Sequence, residues 1–219
     1  MNSKYYKDFV IKQGTKNDKV LILDILKSLP PTGFLENCSR RFWNVFLEYL
    51  FKNSLGIIIL ALEQDSKKGI GYVIAIRDPF KFWSGFALTH LLYMGPIIIM
   101  RKYKQFARLF IPYFGSVKRK KANDRKNTSG QDLPEFKWSL STIKIARIFF
   151  IGVLPGFRGL GLGQAIYSFL AEVVKNEGCI KIEAHIDKGN DASLALHKKS
   201  GWQIQKLKQE NYKATLNLS

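Results

Sequence analysis

A mixed α/β domain is the fold class that the sequence predicts, and three observations predict it. Residues 55–63 and 69–77 are rich in Ile and Val and flank the polar turn 64–68, which is the pattern of an antiparallel hairpin. Residues 143–153 read as a strand that enters a glycine-rich turn and then the amphipathic stretch 164–176. Residues 180–187 alternate apolar Ile180, Ile182, Ala184 and Ile186 with polar neighbours, as a half-buried strand does. With 219 residues, 46% of them hydrophobic, the chain can fill one core or at most two small ones.

The elements follow in order. Residues 9–13 form an opening strand, and 18–29 form a helix with Asn17 as its N-cap and Pro30 and Pro31 as its stop. Residues 40–52 form an amphipathic helix whose stripe of Phe42, Val45, Phe46, Tyr49 and Leu50 belongs to the core. The hairpin comes next. Between 78 and 137 the periodicity breaks into an insertion. It comprises an aromatic stretch, a Gly95-Pro96 break, a helix over 97–110 and a polar segment, 116–132, that reads as mobile.

Charge concentrates in that insertion. The chain has 35 Lys and Arg against 17 Asp and Glu, a net charge of +18, which draws it toward polyanions. Ten of the basic residues lie between Arg101 and Lys126, where Asp124 is the one acid. Three readings stand for this segment. It is a solvated loop and helix, or a peripheral contact with an anionic membrane through Phe80, Phe82, Trp83, Phe86, Leu91, Leu92 and Tyr93, or a nucleic-acid surface. Nucleic acid is disfavoured because no helix-turn-helix, zinc-finger or RNP pattern is present.

Cys38 and Cys179 are too few for a disulfide framework, and no His or Cys spacing suggests a metal site, so none is expected. The opening MNSKYYKDFVIKQGTKND is charged throughout and lacks an apolar stretch of signal-peptide length. Residues 82–100 are free of charged side chains but are broken by Gly85, Gly95 and Pro96, which argues against a membrane span. A cytoplasmic chain, in contact with a membrane surface under the second reading above, is the expectation.

The chemistry lies after residue 138. Strand 143–153 runs into Leu154-Pro155-Gly156-Phe157-Arg158-Gly159-Leu160-Gly161-Leu162-Gly163 and then a helix. Backbone N–H groups at a helix start form an anion site, and glycine lets the chain approach phosphate oxygens closely. A P-loop would need Gly-Lys-Ser/Thr, and the dinucleotide fingerprint would need glycine where Gln164 stands, so neither fits. Val153-x-Pro155-x-x-Arg158-Gly159-x-Gly161-x-Gly163 does resemble the acetyl-CoA pyrophosphate loop of the GNAT superfamily of N-acetyltransferases. Downstream, Asn190-x-x-Ser193-x-x-Leu196-His197-x-Lys199-x-Gly201-Trp202 resembles the family's second signature.

This resemblance implies a mostly antiparallel sheet with flanking helices, two neighbouring strands splayed at the cofactor site, and acetyl-CoA as co-substrate. It places the pantetheine arm on the main chain of Ile151 and Val153. The pyrophosphate falls on the N–H groups of Arg158, Gly159, Leu160, Gly161, Leu162 and Gly163, with Asn190 beside it. The family often carries a Tyr where His197 stands. His197 is thus a candidate to protonate the departing thiolate, though a helix histidine satisfying a local hydrogen bond is an equal reading, as is Asn190 acting as a plain N-cap. The strand carboxylate of some relatives is replaced by Arg147. Glu183, His185 and Asp187 alternate on one face of the next strand and offer a base, Glu183 among the catalytic candidates, while Glu63 and Glu135 are weaker ones. A buried Arg147 needs an anionic partner, either a substrate group or a protein carboxylate.

The acceptor implied is a primary amine on a small anionic molecule, with an amino sugar on a nucleotide or lipid phosphate preferred. Aminoglycoside-like polycations are disfavoured by the positive charge. The alternatives are a protein or peptide N-acetyltransferase, and a non-catalytic CoA-, membrane- or nucleic-acid-binding module on the same fold.

Overall fold

A computed structural model describes residues 3–6, 8–30, 38–90, 145–207 and 211–218. The chain divides into two compact units, one of 1–82 with 143–219 and one of 83–142. The predicted helix at 97–110 and the polar segment 116–132 lie outside the described residues.

The first unit is built on one eight-stranded sheet of order β1-β2-β3-β4-β5-β6-β8-β7. The strands are β1 (Ser3–Tyr5), β2 (Phe9–Gln13), β3 (Gly56–Glu63), β4 (Gly69–Ile76), β5 (Ile145–Val153), β6 (Lys181–Ile186), β7 (Gln203–Lys206) and β8 (Tyr212–Asn217). Every pairing is antiparallel except β5 with β6. The helices described are α1 (Lys19–Ser28), α2 (Arg40–Lys52), α3 (Pro79–Thr89), α4 (Leu162–Asn176) and α5 (Asp191–Lys199).

The hairpin β3–β4 is apolar on both faces because both are covered. Ile57, Ile59, Ala61, Val73 and Ala75 join one core with Ile166, Phe169, Leu170 and Val173 of α4. The alternate side chains face α1 and α2. There the Tyr72 hydroxyl donates to the Leu29 carbonyl at 3.0 Å, and a Cβ placed on Gly69 would fall 2.1 Å from Ile25. Helix α2 has the expected boundaries, and Ser39 accepts from the Phe42 N–H as its N-cap. Its buried stripe is Phe42, Trp43, Phe46, Leu47 and Leu50, one position rotated from the expected one, so Val45 and Tyr49 are half-buried at its flank.

Two further expectations are corrected. Asn17 does not cap α1: it lies in a 3-10 turn, Lys16–Asp18, whose Thr15 and Asp18 form a capping box. Phe82 does not face outward, since it is fully buried and packs edge-on against Phe46 and Tyr49; Trp83 and Phe86 are buried as well. Among the described residues no helix is long and apolar enough to cross a membrane.

Candidate active site

Strands β5 and β6 separate where the site begins. Their parallel pairing stops at Ile148 and Ala184, although β5 continues to Val153 and β6 to Ile186. The register between β4 and β5 slips at the same level, because Ala75 pairs with Ile148 and Ile74 with Phe150, leaving Phe149 as the extra residue of a bulge. A bulge sharpens the twist of the bulged strand, and here it turns β5 away from β6. A cleft of about 700 Å³ opens between the two strands, the glycine turn and α5.

Main-chain polarity along β5 follows from alternation. Leu154 N–H donates to the Ile70 carbonyl at 2.9 Å, so Leu154, Gly152 and Phe150 aim their backbone groups at β4. Ile151 and Val153 therefore aim theirs into the splay. The Val153 carbonyl accepts from Arg158 Nε at 3.0 Å, which leaves the Val153 N–H and both groups of Ile151 for a ligand. Gly152 keeps this wall flat, because a Cβ there would come within 2.8 Å of the Tyr72 ring.

The turn after β5 is a 3-10 turn, Pro155–Phe157, closed by Arg158 N–H donating to the Pro155 carbonyl at 3.2 Å. Gly159 and Gly161 both hold φ near +80°, a conformation that residues with a Cβ adopt at a cost of about 1–2 kcal/mol. Gly161 is the N-cap of α4 and brings no side chain to it. Ala165 N–H makes the first helical bond, to the Gly161 carbonyl, so the N–H groups of Leu162, Gly163 and Gln164 have no partner within the helix. These three point, with the positive end of the helix dipole, at the mouth of the cleft. The Arg158 amide is thus engaged within the turn, and its guanidinium is a brace on Val153. Leu160 is 66% exposed at the tip of the turn.

His197 lines the cleft, but both of its ring nitrogens are already engaged. It is 1% exposed. Its Nδ1 lies 2.7 Å from the Ser193 carbonyl, which can only accept, so Nδ1 carries the proton. Its Nε2 then accepts from the Tyr167 hydroxyl at 2.9 Å. Both ring nitrogens are engaged, Trp202 closes edge-on at 4.8 Å, and the neutral ring has no proton to offer the cleft. Burial lowers its pKa against the opposing effect of the Ser193 carbonyl. Charging the ring on unfolding is therefore easier than in the fold, and stability present above the unfolded value near 6.5 is lost as pH falls below it. Replacing His197 by Ala is expected to cost about 2–4 kcal/mol through the cavity and the orphaned Tyr167 hydroxyl. Urea titrations of wild type and variant at pH 7.5 and 5.5 should show that gap narrowing at the lower pH.

Asn190 is the N-cap of α5, its Oδ1 accepting from the Ser193 N–H at 3.1 Å, and it also lines the cleft. Gly201, at φ +78°, ends the same helix. Glu183 lies outside the cleft lining, with its carboxylate engaged by cations. It is 4% exposed, and its carboxylate is held by Arg147 at 2.8 Å, Lys213 at 2.7 Å and Lys181 at 3.2 Å. Burial would raise its pKa, but the hydrogen bonds and charges of Lys213 and Arg147 outweigh that and hold it at about 2. Arg147 thereby finds a protein carboxylate. Of the alternating trio, His185 and Asp187 line the cleft and Glu183 does not. His185 keeps one side exposed; partial desolvation first, then the charges of Arg147 and Lys213, push its pKa down.

Several site residues carried no signal in the sequence. Tyr167 reads only as part of an amphipathic stripe, and Lys213 lies beyond the last predicted strand. Tyr72, Leu29 and Pro30 reach the cleft wall through tertiary packing alone. Among the described residues no group of three or more His, Cys, Asp or Glu is placed to hold a metal ion.

Residues 133–202 match the family model described as the acetyltransferase (GNAT) family. Solved structures share the fold across nearly the whole chain. An acetyltransferase of the GNAT family from Streptococcus pneumoniae is 14% identical, with a TM-score of 0.54, over 97% of this chain and 100% of its own. NAA60 of Arabidopsis thaliana, solved in complex with acetyl-CoA, is 12% identical with a TM-score of 0.54, over 96% and 99%. The ribosomal-protein-S5-alanine acetyltransferase of Vibrio fischeri is 11% identical with a TM-score of 0.54, over 100% and 98%. A search of curated protein sequences gave no significant match.

Proposed function

We propose, for a chain whose 133–202 segment matches the GNAT acetyltransferase family model and whose fold is that of solved GNAT structures, that it moves the acetyl group of acetyl-CoA to a primary amine of a small anionic acceptor. The observation that carries this is the junction of two features. A splay between β5 and β6 bares the main chain of Ile151 and Val153, and it runs directly into three partnerless N–H groups at the start of α4.

The roles follow from chemistry. N–H groups of Leu162, Gly163 and Gln164 bind the diphosphate, and Gly159 and Gly161 supply the backbone turn that lets it come close. Ile151 and Val153 extend the pantetheine arm as an added strand would, and the Val153 N–H is the donor that can polarise the thioester carbonyl. Asn190 adds its side-chain amide once its oxygen has capped α5. The amine must lose a proton before it attacks. Among the described cleft-lining groups, His185 suits that task, because a lowered pKa keeps it neutral at pH 7 with a lone pair to offer. The leaving thiolate takes its proton from solvent, since the one proton of His197 is donated to the Ser193 carbonyl.

The acceptor is a phosphorylated amine, with an amino sugar on a nucleotide or lipid phosphate as the candidate, because half of the net charge is concentrated in one short stretch of the sequence. Release of free CoA thiol on adding amines tests the reading. Phosphorylated amino sugars should give turnover, and a neutral peptide amine should give less. His185→Asn should lower kcat by about 100-fold with the KM for acetyl-CoA unchanged. Binding of acetyl-CoA without transfer to any amine would reduce the reading to a CoA-binding module.

A further inference from the structure

The half of the sheet formed by β6, β8 and β7 has two unlike faces. Ile182, Ala184, Ile186 and Ala214 point into the core under α4. The alternate side chains on the other face are polar, and Lys181, Glu183 and Lys213 dominate it, with Arg147 of β5 paired directly opposite Glu183. This is the face that Tyr72 and Gly152 share on the neighbouring strands, and it leads into the splay one residue beyond Arg147.

Among the described residues, the ion pairs on this face are unequal in charge. Arg147 takes Oε2 of Glu183 at 2.8 Å, and one guanidinium suffices to compensate one carboxylate. Yet Lys213 and Lys181 both crowd the remaining oxygen, Oε1, at 2.7 and 3.2 Å. Two ammonium groups sharing one oxygen repel each other, and with Arg147 they put three cations on a single carboxylate. Both stay about 30% exposed, at 29% and 31%, while Glu183 is 5% exposed beneath them. One buried carboxylate thus gathers three cations, an excess of two positive charges among these four residues, and both lysines keep part of their side chains at the surface. Each lysine has further donors to offer.

We infer that Lys181 and Lys213, held by Glu183, form a phosphoryl-binding subsite that seats the anionic group of the acceptor beside the splay. Two surplus positive charges match a phosphate dianion better than a single carboxylate. The subsite rests on the acetyl-transfer reading for its purpose, but its existence can be tested apart from it.

The test uses the full chain, 15N-labelled, with desulfo-CoA present in excess so that the helix-terminus anion site is filled. Inorganic phosphate is titrated at constant ionic strength, with acetate and chloride as parallel arms, while backbone amides of residues 181–185 and 213–215 are followed. Saturable shifts with phosphate, weaker by at least about tenfold with acetate and absent with chloride, are expected. In Lys181→Ala/Lys213→Ala, where Arg147 still compensates Glu183, those shifts should vanish. Lys213→Gln, a milder change, should lower phosphate affinity about tenfold if the double variant does not fold. Equal responses to all three salts, or none, would overturn the subsite. Binding of desulfo-CoA is read on the same samples: its absence alongside phosphate shifts at these strands would sink the acetyl-transfer reading and leave the subsite standing.

Discussion

Gly161→Asp is expected to weaken acetyl-CoA binding by about 100-fold or more while the protein stays folded. The residue sits at φ +80° as the N-cap of α4, and a Cβ there would meet nothing within 4 Å, so the substitution fits sterically and carries only backbone strain of about 1–2 kcal/mol. Aspartate brings a carboxylate beside the N–H groups of Leu162, Gly163 and Gln164, which have no partner within the helix. Its carboxylate then accepts from the very N–H groups that would hold the diphosphate. A negative charge about 5 Å from a bound phosphate opposes it by roughly 3 kcal/mol at an effective dielectric near 20. Affinity should therefore fall by about 100-fold or more. Gly161→Ala separates the causes: it keeps the strain, adds no charge and should lose affinity by less than about tenfold. Calorimetric titration of the three proteins with acetyl-CoA, each with a thermal melt as a folding control, reads both quantities. Equal weakening by Ala and Asp would mean that turn conformation, and not an anion seat at the helix start, governs binding.

That prediction could be framed from sequence, because the glycine turn is local. Strand 143–153, the turn and the helix after it are contiguous, and periodicity placed all three to within two or three residues; α4 starts at Leu162 and not Gln164 because Gly161 caps it. The hairpin β3–β4 and helix α2 were equally legible, since each carries its own pattern of apolar residues. What stayed hidden depends on partners distant in the chain. Arg147 visibly needed an anion, but nothing in the sequence selects Glu183, 36 residues on, over a substrate group. His197 stood in a motif position that suggested an acid. Its tautomer is set by the Ser193 carbonyl one turn back, and its remaining nitrogen by Tyr167, 30 residues upstream. Strands β7 and β8 are short, and on the face away from the core they are polar, so they lack the apolar density that marks a strand. Yet β8 supplies Lys213.

Glu183→Ala should be among the more destabilising single substitutions outside the apolar core, by about 3 kcal/mol at pH 7. Removing it leaves Arg147, Lys181 and Lys213 facing one another without the carboxylate, and breaking a buried ion pair from one side costs about 3–5 kcal/mol; the lower end applies because all three cations reach water. The depressed pKa of Glu183 reflects the same contacts. Depression from the ordinary 4.5 to about 2 corresponds to roughly 3 kcal/mol of linkage. Because the folded value lies below the unfolded one, that stability is fully present above pH 4.5 and is lost as pH falls toward 2. The gap between wild type and Glu183→Ala should therefore be full at pH 7, begin to close below pH 4.5 and be nearly gone near pH 2. Glu183→Gln keeps the shape and an acceptor oxygen, and should recover about half of the loss. Urea titrations of the three proteins at pH 7, 4 and 2.5 decide the matter. A gap that stays constant with pH would mean that Glu183 acts through packing alone, and would remove the basis for treating the two lysines as held in place by its charge.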